Sequence, residues 1–390
     1  MGNWNFDEII ERRGTYAEKY NFENRPDDTI PLWVADMDFR VCPSVTEALR
    51  SRAEHGIYGY SNPGKEYYDA LLGWFSSRFG WQTEKDWVVN TPGVVYALNT
   101  AVRSLTQPQD AVMILTPVYR PFFNVVLNNG RTLVECPLVN QDGAYQIDFA
   151  DFERKIIDNN VKMFILCSPH NPIGRVWQKE ELEQIADICL RHNVLVVSDE
   201  IHADFVYPGY KHIPFASLSK EAEQHCIVCT APSKTFNLAG LQCSNIFIPN
   251  AEIRDAFTGE LSREGYHSPN VMGMLACQAA YAEGGPWLED LIQYLSGNLE
   301  FVRSFLRENL PMVRLTEPQG TYLIWLDFRD LGLSADALED LVSNKARLWL
   351  DDGLIFGKEG ELFERVNIAC PRSLLVEAFQ RLKDAVDQLK

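Results

Sequence analysis

Ile227-Val228-Cys229-Thr230-Ala231-Pro232-Ser233-Lys234-Thr235-Phe236-Asn237-Leu238-Ala239-Gly240-Leu241 runs from an apolar stretch, through a lysine, into a small-residue turn. Lysine is costly beside a core, because burial disfavours its charged form. One explanation is an amine kept partly neutral so that it can act as a nucleophile. The other is a surface lysine in a strand-to-loop turn. The stretch alone leaves both open, but its layout, a short apolar strand closed by polar residues, recurs along the chain.

Strand-like runs lie at 111–115, 132–136, 163–167, 194–197, 227–230 and 245–248, with helical patterns between several of them. The clearest places Leu182, Ile185, Ala186 and Cys189 on one helix face. Short, continuously apolar strands interleaved with helices predict an α/β fold with a mostly parallel sheet covered on both sides. Upstream, Val88-Val89-Asn90-Thr91-Pro92-Gly93-Val94-Val95-Tyr96-Ala97-Leu98 reads as a short strand, a Pro-Gly turn and an apolar helix. A glycine at a helix mouth lets backbone N–H groups approach an anion, and the helix dipole adds attraction. Pro43 opens a helix to about residue 54, and Tyr68, Leu71, Leu72 and Phe75 mark one face of the next. Past Gly284-Gly285-Pro286 the texture changes. A long helix is expected from about 287 to 309, strands at 313–316, 320–327 and 363–369, and a final helix with Leu375, Ala378, Phe379, Leu382 and Val386 inward. The expected division is a large domain over 46–286 and a smaller α+β domain over 287–390, joined by an N-terminal arm over 1–45.

At 390 residues the chain exceeds one typical core, which agrees with two domains. Its 36 basic and 54 acidic residues leave a net charge of -18, which argues against nucleic-acid or anionic-membrane partners. Met1-Gly2-Asn3-Trp4-Asn5-Phe6-Asp7-Glu8 lacks the basic and apolar regions of a signal peptide, and Phe6 stands where myristoylation of Gly2 wants Ser or Thr. No apolar run approaches the ~18 residues of a membrane span. The nine cysteines are scattered, several in strand-like contexts (Cys136, Cys167, Cys229, Cys277), which fits free thiols in a reducing cytoplasm. Cys226 and Cys229 form a lone C-x-x-C on a strand, better read as core packing than as a redox or zinc motif.

In open α/β sheets, ligands sit beyond the carboxyl ends of strands. Those ends here carry Thr116-Pro117-Val118-Tyr119, Ser168-Pro169-His170-Asn171-Pro172-Ile173-Gly174, Ser198-Asp199-Glu200-Ile201-His202, and Ala231-Pro232-Ser233-Lys234. Each has a plain explanation alone; together they converge on one rim. That rim has what pyridoxal 5′-phosphate requires. Lys234 would form the Schiff base, and Asp199 would pair with the pyridinium nitrogen. Asn171 would donate to the phenolate oxygen, and Tyr119 would stack on or hydrogen-bond the ring. Gly93, Val94 and Val95, with Ser233, would receive the phosphate. His202 lies close enough in sequence to Asp199 to meet the ring, although a buried, satisfied histidine is the preferred reading.

Asn171-Pro172-x-Gly174, then Asp199, then Ser233-Lys234, resembles the fold-type I, class I/II aminotransferase superfamily over essentially the whole chain. Pro31-Leu32-Trp33-Val34-Ala35-Asp36-Met37-Asp38-Phe39, Ser168-Pro169-His170-Asn171-Pro172-Ile173-Gly174-Arg175 and Val366-Asn367-Ile368-Ala369-Cys370-Pro371-Arg372-Ser373 are similar to signatures of the MalY/PatB-type cysteine-S-conjugate β-lyases, which are cystathionine β-lyase-like. The resemblance implies a mostly parallel seven-stranded sheet sandwiched by helices, with a smaller α+β domain. It implies Arg372 as the ligand of the substrate α-carboxylate, with Ala35, Asp36 and Asn171 at the substrate mouth. It implies a homodimer in which Tyr60 reaches the neighbouring subunit's cofactor phosphate. One position departs: many superfamily members carry a basic residue eight positions after the lysine, where this chain has Gln242.

The activity so implied is a carbon–sulfur β-lyase acting on L-cystathionine, L-cysteine or other cysteine S-conjugates, with Lys234 as base and thiol, pyruvate and ammonia as products. An aminotransferase would use the same residues, and the residues alone do not separate the two. A metal-dependent hydrolase built on Asp199-Glu200-Ile201-His202-Ala203-Asp204 would leave Lys234 idle, and no second cluster has ligand spacing. No metal is expected. A non-catalytic regulator that binds the cofactor or a protein is a third class.

Overall fold

The computed structural model describes residues 4–21 and 25–389. The N-terminal reading at residues 1–3, and residues 22–24 of the expected arm, lie outside them.

Seven strands build the central sheet: β1 (Val88–Thr91), β2 (Ala111–Thr116), β3 (Thr132–Pro137), β4 (Val161–Cys167), β5 (Leu195–Asp199), β6 (Cys226–Thr230) and β7 (Ser244–Phe247). Their spatial order is β1-β7-β6-β5-β4-β2-β3. Only β7 runs antiparallel to its neighbours. The strands read as unbroken apolar runs because both faces are covered. Alternate residues feed different cores. Met163, Ile165 and Cys167 join Val197, Ile227 and Cys229 on the side of helix α1 (Val94–Leu105). Phe164, Leu166, Val196 and Val228 face the larger core, which continues into the C-terminal part of the chain.

The C-terminal part carries a second, antiparallel sheet. Its strands β8 (Arg314–Thr316), β9 (Leu323–Asp327), β10 (Asp351–Asp352) and β11 (Phe363–Asn367) lie in the order β8-β9-β11-β10. The helices Gly285–Asn309 and Arg372–Asp387 pack with it. The N-terminal segment is fastened here by main-chain bonds: Ile30 N–H to Arg347 O at 2.9 Å, Leu32 N–H to Trp349 O at 2.8 Å, and Asn367 N–H to Leu32 O at 2.8 Å. A buried Lys19–Asp38 ion pair at 2.6 Å fixes the next turn of the segment.

The strands expected from the sequence agree to within one or two residues, except that the one expected at 320–327 begins at Leu323. The hairpin at Val139–Gln141 and Ala144–Gln146 was not anticipated; its strands are only three residues each, too short for a periodic signal.

Candidate active site

The polar ends of β4, β5 and β6 and the N-terminus of α1 enclose one cavity of about 210 Å³. Its lining includes Gly93, Val94, Val95, Tyr119, Asn171, Asp199, His202, Ser233, Lys234, Ala35 and Gln242. The expected residues that the fold brings together are thus ten of one constellation plus Gln242; Asp36, Tyr60 and Arg372 are not among them.

Lys234 sits on the helical turn Pro232–Thr235 directly after β6. Its Nζ donates to Ala35 O at 2.8 Å. Burial, reinforced by the positive field of Arg365, pushes the amine down to about 8, against the opposing pull of Asp36 and Asp199. Asp199 ends β5 and is buried. Among the described residues its carboxylate accepts one hydrogen bond, from Ile201 N–H at 3.1 Å. Burial pushes this carboxyl up to about 7, offset by that N–H and by Lys234. It lacks a direct cationic partner and faces the cavity, so it calls for a donor from within it.

The other members surround these two. Tyr119 is tied to the Asn171 loop by Tyr119 N–H to Asn171 O at 3.2 Å, and burial raises its phenol. His202 stands edge-on to Tyr322 with ring centroids 5.9 Å apart. Its buried Nδ1 has no partner among the described residues, and burial holds the ring well below its ordinary pKa, hence neutral. In α1 the first helical bond is Ala97 N–H to Gly93 O at 3.1 Å, leaving the N–H groups of Val94, Val95 and Tyr96 without helical acceptors.

The Asn171 loop is held from the C-terminal part. Gly174 has φ +69°, and a Cβ there would lie 2.8 Å from Pro318 Cβ. Gln319 N–H and Gly320 N–H both donate to Gly174 O, at 2.8 and 3.0 Å. Glycine is required both for the left-handed conformation and for this approach.

The hydrolase alternative drew on acids that face different ways. Glu200 is engaged by His212 Nε2 at 2.8 Å, Ser198 Oγ at 2.9 Å and Phe215 N–H at 2.8 Å. Asp204 is engaged by Arg78 at 2.7 Å and Thr235 Oγ1 at 2.6 Å. Only Asp199 of the three lines the cavity.

A family model for class I and II aminotransferases matches residues 27–382. The chain belongs to this family. It is 44% identical over 385 residues to cystathionine beta-lyase PatB of Bacillus subtilis, covering 98% of this chain and 100% of that protein. It is 34% identical over 388 residues to protein MalY of Escherichia coli, covering 98% and 99%. Among solved structures it is similar to cystalysin of Treponema denticola, which contains a pyridoxal 5′-phosphate cofactor. The TM-score is 0.96, with 40% identity over 99% of this chain and 100% of that one.

Arg372, expected at the substrate α-carboxylate, does not line this cavity. The structure seats it away from the cavity, with Nε donating to Asn298 Oδ1 and its guanidinium 5.7 Å from the Tyr294 ring centroid. Its N–H donates to Tyr294 Oη at 2.7 Å. It therefore ties the last helix to the helix Gly285–Asn309, in a separate depression shared with Trp4 and Phe6.

The guanidinium near the cavity is Arg365, seven residues earlier on β11, which sequence reasoning missed. It is 3% exposed. Its Nη1 donates to Asn171 Oδ1 at 3.2 Å and its Nη2 to Trp33 O at 2.7 Å. It is paired with Asp351, its ring neighbour is Phe356, and its buried Nε has no partner among the described residues. Its strand, Phe363-Glu364-Arg365-Val366-Asn367, is mostly polar in sequence, so residue type alone did not mark this arginine as buried. Tyr322, and the role of the Ala35 carbonyl, show a second kind of omission. The Ala35 carbonyl accepts from both Lys234 Nζ and Tyr322 Oη, the latter at 3.1 Å, and a backbone acceptor leaves no mark in residue type. Tyr60 is fully exposed, in a surface depression that also includes Gln242 and Tyr266. It does not reach the cavity of its own chain.

Proposed function

We propose that the chain is a pyridoxal 5′-phosphate-dependent carbon–sulfur β-lyase. It acts on L-cystathionine, L-cysteine or other cysteine S-conjugates and releases a thiol or sulfide, pyruvate and ammonia. The observation that carries the reading is a lysine amine pushed down to about 8 in the same cavity as a buried, cation-free carboxylate. The residues fit the cofactor. Lys234 Nζ would hold its carbonyl carbon, and Asp199 would accept from its protonated ring nitrogen. The open N–H groups at Val94 and Val95, with Ser233, would take its phosphate. Asn171 Oδ1 is taken by Arg365, which leaves Nδ2 for the phenolate oxygen. Tyr119 and His202 flank the ring.

When bound, the cofactor supplies a carbonyl carbon for the substrate's amino group and an electron-poor ring that draws charge from Cα. Arg365 binds the substrate α-carboxylate, a planar match of guanidinium to carboxylate. That places Cα against Lys234, whose amine, pushed down to about 8, has a neutral fraction at physiological pH that takes the Cα proton. Asp199 keeps a proton at the ring nitrogen, and Tyr322 and Ala35 hold Lys234 in position. Gln242 offers no charge to the phosphate, so its compensation rests on backbone N–H groups and on a second subunit. A homodimer in which Tyr60 reaches the partner's phosphate seat is supported by the full exposure of Tyr60 beside Gln242. Sedimentation of the protein and of Tyr60→Phe, with cofactor titration, tests this.

The division at 46–286, with 287–390 and the N-terminal arm as the smaller domain, is supported by the main-chain pairing of Ile30 and Leu32 with residues 347–349. A cytoplasmic location is supported by nine cysteines that are all free and buried. No helix among the described residues is long and apolar enough to cross a membrane.

Purified protein with cofactor and L-cystathionine, without any keto acid, is expected to form pyruvate. If none forms while amino transfer to an added keto acid is fast, the chain is an aminotransferase instead.

A further inference from the structure

Outside the cofactor cavity lies a second chamber of about 530 Å³, which shares Ala35, Tyr119 and Lys234 with it and includes Arg365. A substrate held by Arg365 over Lys234 therefore has this chamber open to its sulfur substituent. The wall carries three carboxylates and two more guanidinium groups. Asp351 is paired with Arg365, while Asp352 accepts from Leu354 N–H at 2.9 Å and Glu339 from the Ser343 hydroxyl, and these two keep their charge. Arg25 is braced by Ser343 Oγ at 3.0 Å and lies 4.6 Å from the Trp349 ring centroid. Trp349 is itself stacked on Trp33 at 4.4 Å. No carboxylate touches the Arg25 guanidinium directly; Glu364 acts on it through space and Glu339 across the shared Ser343 hydroxyl. Arg120 is exposed at the rim, and its side chain has no hydrogen bond or ion pair among the described residues.

We infer that Arg25 and Arg120 form a second carboxylate subsite, which selects cysteine S-conjugates whose sulfur substituent ends in a carboxylate. The inference rests on the β-lyase reading and names the substrate class within it. An ordered Arg25 and a free Arg120 present donors of one sign to an entering end group, and guanidinium favours carboxylate over a neutral isostere. The indole pair beside them gives the connecting methylene groups an apolar wall.

The test uses two matched substrates, S-(2-carboxyethyl)-L-cysteine and its neutral amide S-(2-carbamoylethyl)-L-cysteine, with pyruvate release by the cofactor-loaded enzyme. The expected kcat/KM ratio favours the carboxylate by about tenfold, the size of a partly exposed charge-assisted contact. In Arg25→Gln/Arg120→Gln the ratio falls to about one. Because both substrates meet the same enzyme, loss of folded protein cancels from the ratio. Raising ionic strength from about 0.05 to about 0.5 M shrinks the ratio in the natural protein and leaves it unchanged in the double variant. A ratio near one in the natural protein, or a preference that survives both substitutions, overturns the subsite alone. Failure of both substrates to release pyruvate, with the visible absorbance of bound cofactor present, overturns the lyase reading and the subsite with it.

Discussion

Replacing Arg365 by lysine, beside the same change at Arg372, separates two arginines that lie seven positions apart. Arg365 lines the chamber that adjoins the cofactor cavity at Ala35, Tyr119 and Lys234, donates to Asn171 Oδ1 and Trp33 O, and keeps a spare buried Nε. Lysine preserves the charge but loses the planar fork. Losing one charge-assisted hydrogen bond to the substrate carboxylate costs ~1.5–3 kcal/mol, or roughly 10- to 150-fold in KM. Because the contact is made equally before and during proton removal, kcat falls less than KM rises. Arg372→Lys instead loses the bond to Asn298 and the packing over Tyr294. It is expected to lower Tm by no more than about 3 °C and to leave KM within about twofold. The assay is initial pyruvate release against L-cystathionine concentration, with thermal melting on the same preparations. A large KM increase for Arg372→Lys with an unaffected Arg365→Lys would refute the assignment and return the substrate carboxylate to the last helix.

Lys234→Ala removes both the cofactor's anchor and the Cα base, so turnover falls by at least about 10²–10⁴-fold and the bound-cofactor absorbance in the visible is lost. Asp199→Asn acts with opposite signs on stability and activity. The folded carboxyl is raised from 3.8 to about 7, so the native state binds the extra proton. Apo-protein stability from this group is therefore intact below the unfolded value and lost as pH rises through about 7. That loss has an upper bound of ~4 kcal/mol. Apo Asp199→Asn should melt above the natural protein at pH 8 and match it at pH 4, while the cofactor-loaded variant turns over more slowly; equal melting at both pH values would remove the argument. Gly174→Ala, at φ +69° with Pro318 in the way, should cost ~1–3 kcal/mol in denaturant unfolding and weaken cofactor retention through the Asn171 loop.

The sheet was legible because burial on both faces forces apolar runs, and because helices must separate parallel neighbours. Strand ends then mark the binding rim, so Lys234, Asp199, Asn171, Tyr119 and the mouth of α1 could be gathered from sequence order alone. The substrate arginine could not be chosen in that way. Arg372 lies inside the signature stretch 366–373 and Arg365 just before it, and their side chains part because one stands on a buried strand and the other opens a helix. The 2.8 Å contact from Lys234 to Ala35 O joins residues 199 positions apart and uses a main-chain oxygen that every residue type carries. Residue type and spacing therefore determined which chemistry the chain can perform. Which guanidinium meets the substrate, and what holds the lysine, depended on distances across the chain that exist only after the N-terminal segment and β11 have closed over the rim.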